Sequence, residues 1–500
     1  MRIAVIGAGI SGIAAAKTLM KFGHEPVLFE RSAEIGGVWA LAYPQVRLQN
    51  IGDHYRFTDF DWPFAHDQHP TADQVMRYIK AAVEHYRLDV RRNHNVVALT
   101  EASDGWTVEL DTPEGHTSER FDYVIVAAGH YTHEKPEIPL PGRDTFKGKV
   151  VTERDVTDLS IFDGKRVAVM GFGKSAVDMA VFAADRAQQV DHIFREPRWL
   201  LPRKMLGRHI AYVSSSRDAT MFNSSWVYPT KWEADMHRRS PMTAKSYAAV
   251  VGYLVKMHTG MSRPRRDARA KARMQLVTPK ESVNQQLRGT LAPDSYYPSV
   301  ASGRIEPHKG SITGLTEDAV QLSDGSSVPC DVLVLAVGYK TPEMPFLPEA
   351  FRAAVACNDD GVQLYRHVLY PRLQRLAFAG FNHNPFHIPG VEVAMTWLGA
   401  VLAGDIVLPS AETMDESTAK VAAWKRANTI FEPTRAYWVS TRFHQYLDVL
   451  LLELGVKPHR KGNPLSEFFG AYSPADYAGV FDEYRAARTG QPRATLPLDT

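Results

Sequence analysis

Three glycines near the start of the chain have the spacing that a nucleotide pyrophosphate requires. Gly7, Gly9 and Gly12 form a GxGxxG pattern directly after the apolar run 2–6. The first glycine permits a tight strand-to-helix turn, the second lets the backbone approach a pyrophosphate, and the third lets helix and strand pack closely. Glu30 follows 18 residues after Gly12, where a carboxylate accepts hydrogen bonds from a ribose diol and repels a 2′-phosphate. The pattern predicts a site for FAD or NAD.

A second glycine pattern carries the opposite charge. Gly171 and Gly173 begin a GxGxxA variant after another apolar run, and Arg195 stands where the first unit has its glutamate. A guanidinium offers two parallel donors to a phosphate dianion. We therefore predict that this turn binds NADPH, with Arg198 and Arg203 as additional phosphate contacts.

Two nucleotide sites of opposite preference indicate one resident redox cofactor and one exchanging reductant. A hydride would pass from the nicotinamide to the flavin. The residues alone do not say where the electrons go next.

Composition excludes several other classes of protein. The 500 residues hold 58 Lys and Arg against 56 Asp and Glu, a net charge of +2, which supplies no large field for nucleic acid or acidic membranes. Two cysteines 27 positions apart, Cys330 and Cys357, allow no disulfide framework and no CxxC dithiol. The longest apolar stretches after the first turn are shorter than the roughly 20 residues that a membrane-spanning helix needs. We expect a folded cytoplasmic protein of about three domains, at roughly 150 residues each.

The elements that must position the glycine turns are short apolar strands followed by helices. Helices are predicted over 13–22 and 175–187, each directly after a glycine turn. Two further apolar strands, 123–127 and 331–335, end in small-residue turns that let backbone contact a ligand. The fold class predicted is α/β, with two dinucleotide-binding, Rossmann-like domains.

Other motifs carry a family resemblance. Gly36-Gly37-Val38-Trp39 follows the first unit, and Tyr43-Pro44 precedes an aromatic segment at 55–63. Together with the turns Ala128-Gly129 and Ala336–Tyr339, these motifs resemble the flavin-containing monooxygenase family, the group B flavoprotein monooxygenases, up to about Pro409.

The resemblance implies an NADPH domain inserted within a discontinuous FAD domain. The first part of the FAD domain would cover 1–150 and its second part 331–409. The NADPH domain would cover 151–330, with a helical insert at about 203–298 as the source of substrate selectivity. A C-terminal helical extension would follow at 410–500.

The resemblance also implies the reaction. NADPH would reduce FAD, and O₂ would then give a C4a-(hydro)peroxyflavin that transfers oxygen to a nitrogen or sulfur centre of a small organic substrate. Baeyer–Villiger oxidation of a ketone is one alternative. An NADPH oxidase or flavin reductase without oxygenation is a second, and an accessory flavoprotein is a third. The oligomeric state is left open, a homodimer included.

Site residues carry over one by one. The positions that match FAD contacts are Gly7, Gly9, Gly12, Glu30, Arg31, Gly37, Val38, Trp39, Val96, Ala128 and Gly129. The positions that match the NADPH turn are Gly171, Gly173, Ser175 and Arg195. Gly338 belongs to a turn similar to one in N-hydroxylating relatives, with Val337 in place of threonine, and Gly380 ends the closing strand of the FAD domain. Asn50 resembles a catalytic asparagine near the flavin edge, although it is equally typical of a turn before Gly52.

Two departures from the family pattern affect the linker and the second turn. The fingerprint FxGxxxHxxx plus an aromatic keeps Phe146 and Gly148, but Thr152 replaces its histidine and Val156 its aromatic residue. Lys174 replaces the usual asparagine, and its ammonium would add a phosphate contact.

A pair of histidines and a run of basic residues are not expected to bind a metal or nucleic acid. His383 and His387 are four positions apart, but Pro385 between them disfavours a helix that could present a metal pair, so we expect pocket residues and no metal. The basic residues between 256 and 288 are expected to form a solvated face of the NADPH domain, with no nucleic-acid partner.

Overall fold

The computed structural model describes residues 1–130, 135–222, 231–286, 289–356 and 358–497. Within these ranges the chain forms 22 strands and 15 α-helices. The strands are β1 (Arg2–Ile6), β2 (Glu25–Glu30), β3 (Asp89–Arg92), β4 (Asn95–Ala102), β5 (Gly105–Thr112), β6 (Gly115–Phe121), β7 (Tyr123–Val126), β8 (Lys149–Thr152), β9 (Arg166–Met170), β10 (Gln189–Phe194), β11 (Leu200–Leu201), β12 (Lys204–Met205), β13 (Arg208–His209), β14 (Thr290–Leu291), β15 (Glu306–Lys309), β16 (Ile312–Leu315), β17 (Ala319–Leu322), β18 (Ser327–Pro329), β19 (Val332–Leu335), β20 (Leu376–Phe378), β21 (Ile406–Val407) and β22 (Arg493–Ala494). The helices are α1 (Ile10–Met20), α2 (Ala72–Tyr86), α3 (Lys174–Ala184), α4 (Ile210–Ser214), α5 (Arg217–Met221), α6 (Lys231–Arg239), α7 (Met242–Thr259), α8 (Ala268–Leu276), α9 (Tyr296–Ser302), α10 (Glu349–Ala356), α11 (His387–Leu402), α12 (Ala411–Asn428), α13 (Phe443–Leu454), α14 (Pro464–Phe469) and α15 (Val480–Ala487).

The first glycine turn lies at the end of the central strand of a parallel sheet. The strand order is β20-β7-β1-β2-β3, and every pairing is parallel. Strand β1 is buried on both faces: Ile3 and Val5 pack with α1 and α11, whereas Ala4 and Ile6 pack toward the antiparallel sheet β4-β5-β6. A strand buried on both faces reads as a continuous apolar run, which is the pattern seen in the sequence.

The second glycine turn has the same arrangement in a second parallel sheet. Its order is β15-β10-β9-β19-β8, with β9 leading into the turn. Helix α3 packs its buried alanines and valines on this sheet. The observed α/β class with two parallel sheets confirms the predicted fold class.

One strand lies in a different sheet from the one expected. We predicted that the FAD-binding part resumes at 331, but β19 pairs with β8 and β9 of the second sheet. The Asp331 side chain accepts a hydrogen bond from the backbone N–H of Arg166 at 2.9 Å and pairs with its guanidinium, which fixes this register. Strand β20 is the one that returns to the first sheet. An apolar run shows that a strand is buried but not which strand it pairs with.

The insert is more varied than the expected helical segment. Between 203 and 298 the described residues form α4–α8, the hairpin β12–β13 and strand β14, which pairs with β11. The later part of the chain is mainly helical, and α13 packs beside α11 of the first unit. None of the helices in the described part combines the length and apolar character needed to span a membrane.

Candidate functional site

The first glycine turn is built so that no larger residue fits at two of its positions. Gly7 has φ +108°, and a Cβ there would lie 2.6 Å from the carbonyl oxygen of Ala127. A Cβ on Gly12 would lie 2.0 Å from the carbonyl oxygen of Gly7. Gly9 lies close to Gly37: a Cβ added to Gly9 would be 3.7 Å from the Cα atom of Gly37. The turn therefore brings together residues that the sequence analysis assigned to one cofactor.

The N-terminus of α1 is available to an anion. No side chain of the described residues caps the helix at Gly9, and the first turn of the helix holds no acidic residue. Backbone N–H groups and the helix dipole at such an end favour a phosphate.

Glu30 is buried at the end of β2, beside this helix end. Its carboxylate accepts hydrogen bonds from the N–H of Ala8 at 3.1 Å and of Ser32 at 3.0 Å. The carboxylate is thereby held next to the turn. Arg31 is exposed, and Val96 lies buried in β4, two residues beyond His94, whose N–H donates to the carbonyl of Glu30.

Two further predicted positions flank the turn. Val38 is exposed, and the indole N–H of Trp39 donates to the Tyr55 hydroxyl at 2.9 Å. Ala128 and Gly129 follow β7, where Gly129 has φ +73° and a Cβ on it would meet no atom of the described residues within 4 Å. The described residues thus leave room beside the backbone at Gly129.

The closing loop, residues 379–386 between β20 and α11, contacts the first glycine turn directly. Gly380 has φ +85°, and a Cβ there would lie 2.3 Å from Ser11 Oγ. Ser11 Oγ is hydrogen-bonded to His387 Nε2 at 2.9 Å, and burial lowers the pKa of His387 to about 4. His387 Nδ1 is buried and has no hydrogen-bond partner within the described residues. The orphaned nitrogen beside a glycine turn fits a bound polar group. Ser11 could not be recognised from the sequence, because it occupies a variable position of the glycine pattern.

Asn50 links its own turn to this loop. Asn50 Nδ2 donates to the carbonyl of Pro385 at 2.7 Å, and its Oδ1 accepts from the N–H of Ile51 at 2.9 Å. The amide thus has a turn contact of the kind that a structural asparagine makes, and also a long-range contact that brings it to the closing loop.

The second glycine turn has the same construction. Gly171 has φ +124°, and a Cβ there would lie 2.2 Å from the carbonyl oxygen of Ala336. A Cβ on Gly173 would meet no atom of the described residues within 4 Å. Within the same residues, helix α3 begins without a capping side chain and without an acidic residue in its first turn. The first N–H groups of α3 therefore adjoin open space at Gly173, whereas a Cβ on Gly9 at the first turn would be in ordinary contact with Gly37.

A buried histidine of β10, His192, is hydrogen-bonded to the second glycine turn. His192 Nε2 donates to the carbonyl of Gly171 at 2.6 Å, and His192 Nδ1 accepts from the Tyr296 hydroxyl at 2.9 Å. Burial lowers the pKa of His192 to about 4, so the ring is neutral with its proton on Nε2. His192 lies within a buried strand, β10, and no motif in the sequence marks it as a functional residue.

Lys174 has a partner that the sequence did not indicate. Its ammonium pairs with the carboxylate of Asp178 at 2.6 Å, and the Tyr43 hydroxyl donates to the same carboxylate at 2.8 Å. Burial and the neighbouring Asp178 carboxylate raise the pKa of Tyr43 well above its usual value. The pair connects the Tyr43-Pro44 segment to α3, beside Ser175 at the second turn.

Arg195 is the arginine best placed for a free phosphate. Its side chain is exposed at the end of β10, and it forms no ion pair with any residue of the described ranges. Arg198 pairs with Glu432 at 3.2 Å, and Arg203 lies 3.9 Å from Asp294. Of the three arginines proposed from the sequence, Arg195 alone has its guanidinium uncommitted in this part of the structure.

The linker residues have structural roles. Gly338 has φ +93°, and its carbonyl accepts a hydrogen bond from Lys135 Nζ at 3.1 Å. Thr152 donates from its N–H and hydroxyl to the Asp155 carboxylate at 2.7 and 2.8 Å, and Val156 is buried in the core of the second unit. The substituted fingerprint positions thus form a local turn and a core contact.

A metal site has no support from clustering. The rings of His383 and His387 are 4.9 Å apart between centroids. Among residues that the structure describes, no group of three or more His, Cys, Asp or Glu side chains is arranged to hold a metal ion.

Known proteins share both the sequence pattern and the fold. The model of the family described as flavin-binding monooxygenase-like matches residues 1–239 and 266–466. A dimethylaniline monooxygenase [N-oxide-forming] 2 of Oryctolagus cuniculus is 29% identical over 495 residues, which cover 91% of this chain and 83% of the relative. The solved S-allyl-L-cysteine S-oxygenase of Allium sativum is 20% identical, covers 97% of this chain and 98% of its own, and has a TM-score of 0.61. Cyclohexanone monooxygenase from Rhodococcus sp. Phi1 bound to NADP⁺ is 18% identical, covers 97% of both chains, and has a TM-score of 0.64. The chain belongs to the flavin-binding monooxygenase-like family.

Proposed function

We propose that the protein is an FAD- and NADPH-dependent monooxygenase that transfers one oxygen atom of O₂ to a nitrogen or sulfur centre of a small organic substrate. The observation that carries this proposal is the pair of uncapped glycine turns with opposite charge beside them, the buried Glu30 at the first and the exposed Arg195 at the second.

FAD would be held at the first turn. The N-terminus of α1 would face its pyrophosphate, and Glu30, fixed by two backbone N–H groups, would accept hydrogen bonds from the ribose. Bound FAD would supply the chemistry of accepting a hydride and activating O₂. His387 is neutral and its Nδ1 has no hydrogen-bond partner among the described residues, so it would offer a hydrogen-bonding position at this site.

NADPH would be held at the second turn. The open space at Gly173 leaves room for the pyrophosphate, and Arg195 would pair with the 2′-phosphate. His192 would keep the carbonyl of Gly171 turned inward, so that the N–H groups of α3 remain available.

The domain organisation that we propose follows from these assignments. An FAD-binding unit would consist of the residues that precede β8 together with a return segment that includes β20, and an NADPH-binding unit would surround the second sheet and include β8 and β19. The segment at about 203–298 would be an insert of the second unit.

The proposed substrate class rests on the relatives. One relative is named for N-oxide formation and one structural neighbour for S-oxygenation. Amines and thioethers are both soft nucleophiles. A cyclohexanone monooxygenase has the same fold, so the fold does not separate this chemistry from oxidation of a ketone.

Product identification tests the proposal. FAD-loaded protein, NADPH and air would be incubated separately with N,N-dimethylaniline, methyl phenyl sulfide and cyclohexanone, and the products measured by mass spectrometry. We expect an N-oxide or a sulfoxide. A lactone alone would assign Baeyer–Villiger chemistry, and NADPH consumption that gives only hydrogen peroxide would assign an oxidase.

A further inference from the structure

The Asn50 segment, residues 46–56, is hydrogen-bonded to His69. His69 Nδ1 lies 3.0 Å from the carbonyl oxygen of Leu48 and 3.1 Å from that of Asn50. Carbonyl oxygens only accept, so Nδ1 carries the proton and donates to both. His69 Nε2 is consequently an acceptor in the neutral ring.

His209 of the insert supplies the matching donor. The backbone N–H of Ala211 donates to His209 Nδ1 at 3.1 Å, so in the neutral ring the proton is on Nε2. His209 Nε2 lies 3.0 Å from His69 Nε2. The donors therefore run in one direction, from His209 to His69 and from His69 to the carbonyl of Asn50.

This order of donors requires that both rings be neutral, because a second proton would place two N–H groups face to face. Both histidines are buried, and burial lowers the pKa of His69 and lowers that of His209 to about 4. Lys174, Arg203 and Lys204 are the cations that lower the pKa values of the pair. The other titratable groups next to the pair are His54, Tyr212 and Arg47, the last of which also pairs with Asp67. The nearest cations among them further disfavour protonation.

Other contacts of the insert converge on the same segment. The N–H of Leu291 donates to Gln49 Oε1 at 3.1 Å, and the Tyr212 hydroxyl donates to Asp53 Oδ2 at 3.2 Å. Residues that follow the insert's first hairpin and residues at its end thus both hold the turn that carries Asn50.

We propose that His69 and His209 are positioning residues through which the insert sets the place of Asn50 during oxygen transfer. The inference rests on the proposed function, because it gives the position of Asn50 a consequence for the reaction. It assigns to the insert, beyond substrate contact, control over how efficiently NADPH oxidation yields oxygenated product.

A matched pair of variants tests the proposal. His209→Gln keeps an N–H donor toward His69, whereas His209→Leu keeps bulk and removes the donor. Arg208→Ala changes an exposed residue of the same hairpin and is the control. His209→Ser would be used in place of the leucine variant if that variant did not fold.

The first measurement is hydrogen–deuterium exchange on the full-length, FAD-loaded protein without substrate. We expect His209→Leu to speed exchange severalfold in both 46–56 and 204–214, and His209→Gln and Arg208→Ala to match the wild type in 46–56. Faster exchange in 204–214 alone, or equal effects of Gln and Leu, would overturn the proposal.

The second measurement is the ratio of oxygenated product to NADPH consumed. We expect the ratio to fall severalfold in His209→Leu with KM for NADPH unchanged, and to be kept in His209→Gln. An unchanged ratio in His209→Leu would mean that the contact between His69 and His209 is only structural, and would overturn the proposal. If the wild type oxygenates none of the substrates, the proposed function fails, while the exchange data still decide whether the pair couples the insert to the Asn50 segment.

Discussion

Arg195 is the residue on which the choice between NADPH and NADH depends. Replacement of Arg195 by alanine should raise KM for NADPH about 10- to 150-fold, because a hydrogen bond to a charged group contributes about 1.5–3 kcal/mol. KM for NADH should change little, since NADH lacks the 2′-phosphate. Steady-state kinetics with both cofactors measures this difference.

Arg186→Ala is the matched control for that substitution, because Arg186 is also an exposed arginine of the second unit and its guanidinium pairs with Asp163 at 3.1 Å. It should leave both KM values near those of the wild type. Equal losses with NADPH and NADH in Arg195→Ala would mean that another group reads the phosphate.

The second glycine turn separates folding from cofactor binding at the scale of an element. A Cβ at Gly173 would meet no atom of the described part of the chain within 4 Å, so Gly173→Ala should leave the melting temperature near the wild-type value while filling the space for the pyrophosphate. KM for NADPH should rise at least tenfold. Gly171→Ala, with φ +124° and a Cβ 2.2 Å from the Ala336 carbonyl oxygen, should instead lower the melting temperature. Thermal unfolding and NADPH kinetics on both variants check this contrast, which equal destabilisation by the two substitutions would refute.

Elements near the glycine turns could be predicted from the sequence because their signals are local. Strand β1, helix α1 and strand β2 follow from an apolar run, a glycine pattern and a second apolar run. The sheet to which β19 belongs could not be predicted, because β19 pairs with β9, and Asp331 and Arg166 at the start of this pairing are 165 positions apart in the sequence. The contacts of Ser11 with His387 and of His69 with His209 could not be predicted either, because they also join residues that are far apart in the sequence.

Buried histidines make the stability of the whole molecule depend on pH. Burial lowers the pKa of His54, His192, His209 and His387 from 6.5 to about 4. Between these values the unfolded chain binds more protons than the folded one, so the free energy of unfolding should fall as the pH is lowered from about 6.5 to 4. Urea midpoints at pH 7, 6 and 5 measure the decline, and His192→Gln, which removes one titrating group, should make it shallower. Midpoints that stay constant from pH 7 to 5 would contradict this account.

The oxygen balance of the FAD-loaded enzyme tests the central claim most directly. The protein would be supplied with NADPH, ¹⁸O₂ and either N,N-dimethylaniline or methyl phenyl sulfide, and NADPH loss, hydrogen peroxide and labelled product would be measured together. We predict one labelled oxygen atom in the product for each NADPH consumed, with little peroxide. Peroxide formed in equal amount to the NADPH consumed, with no label in any organic product, would contradict it.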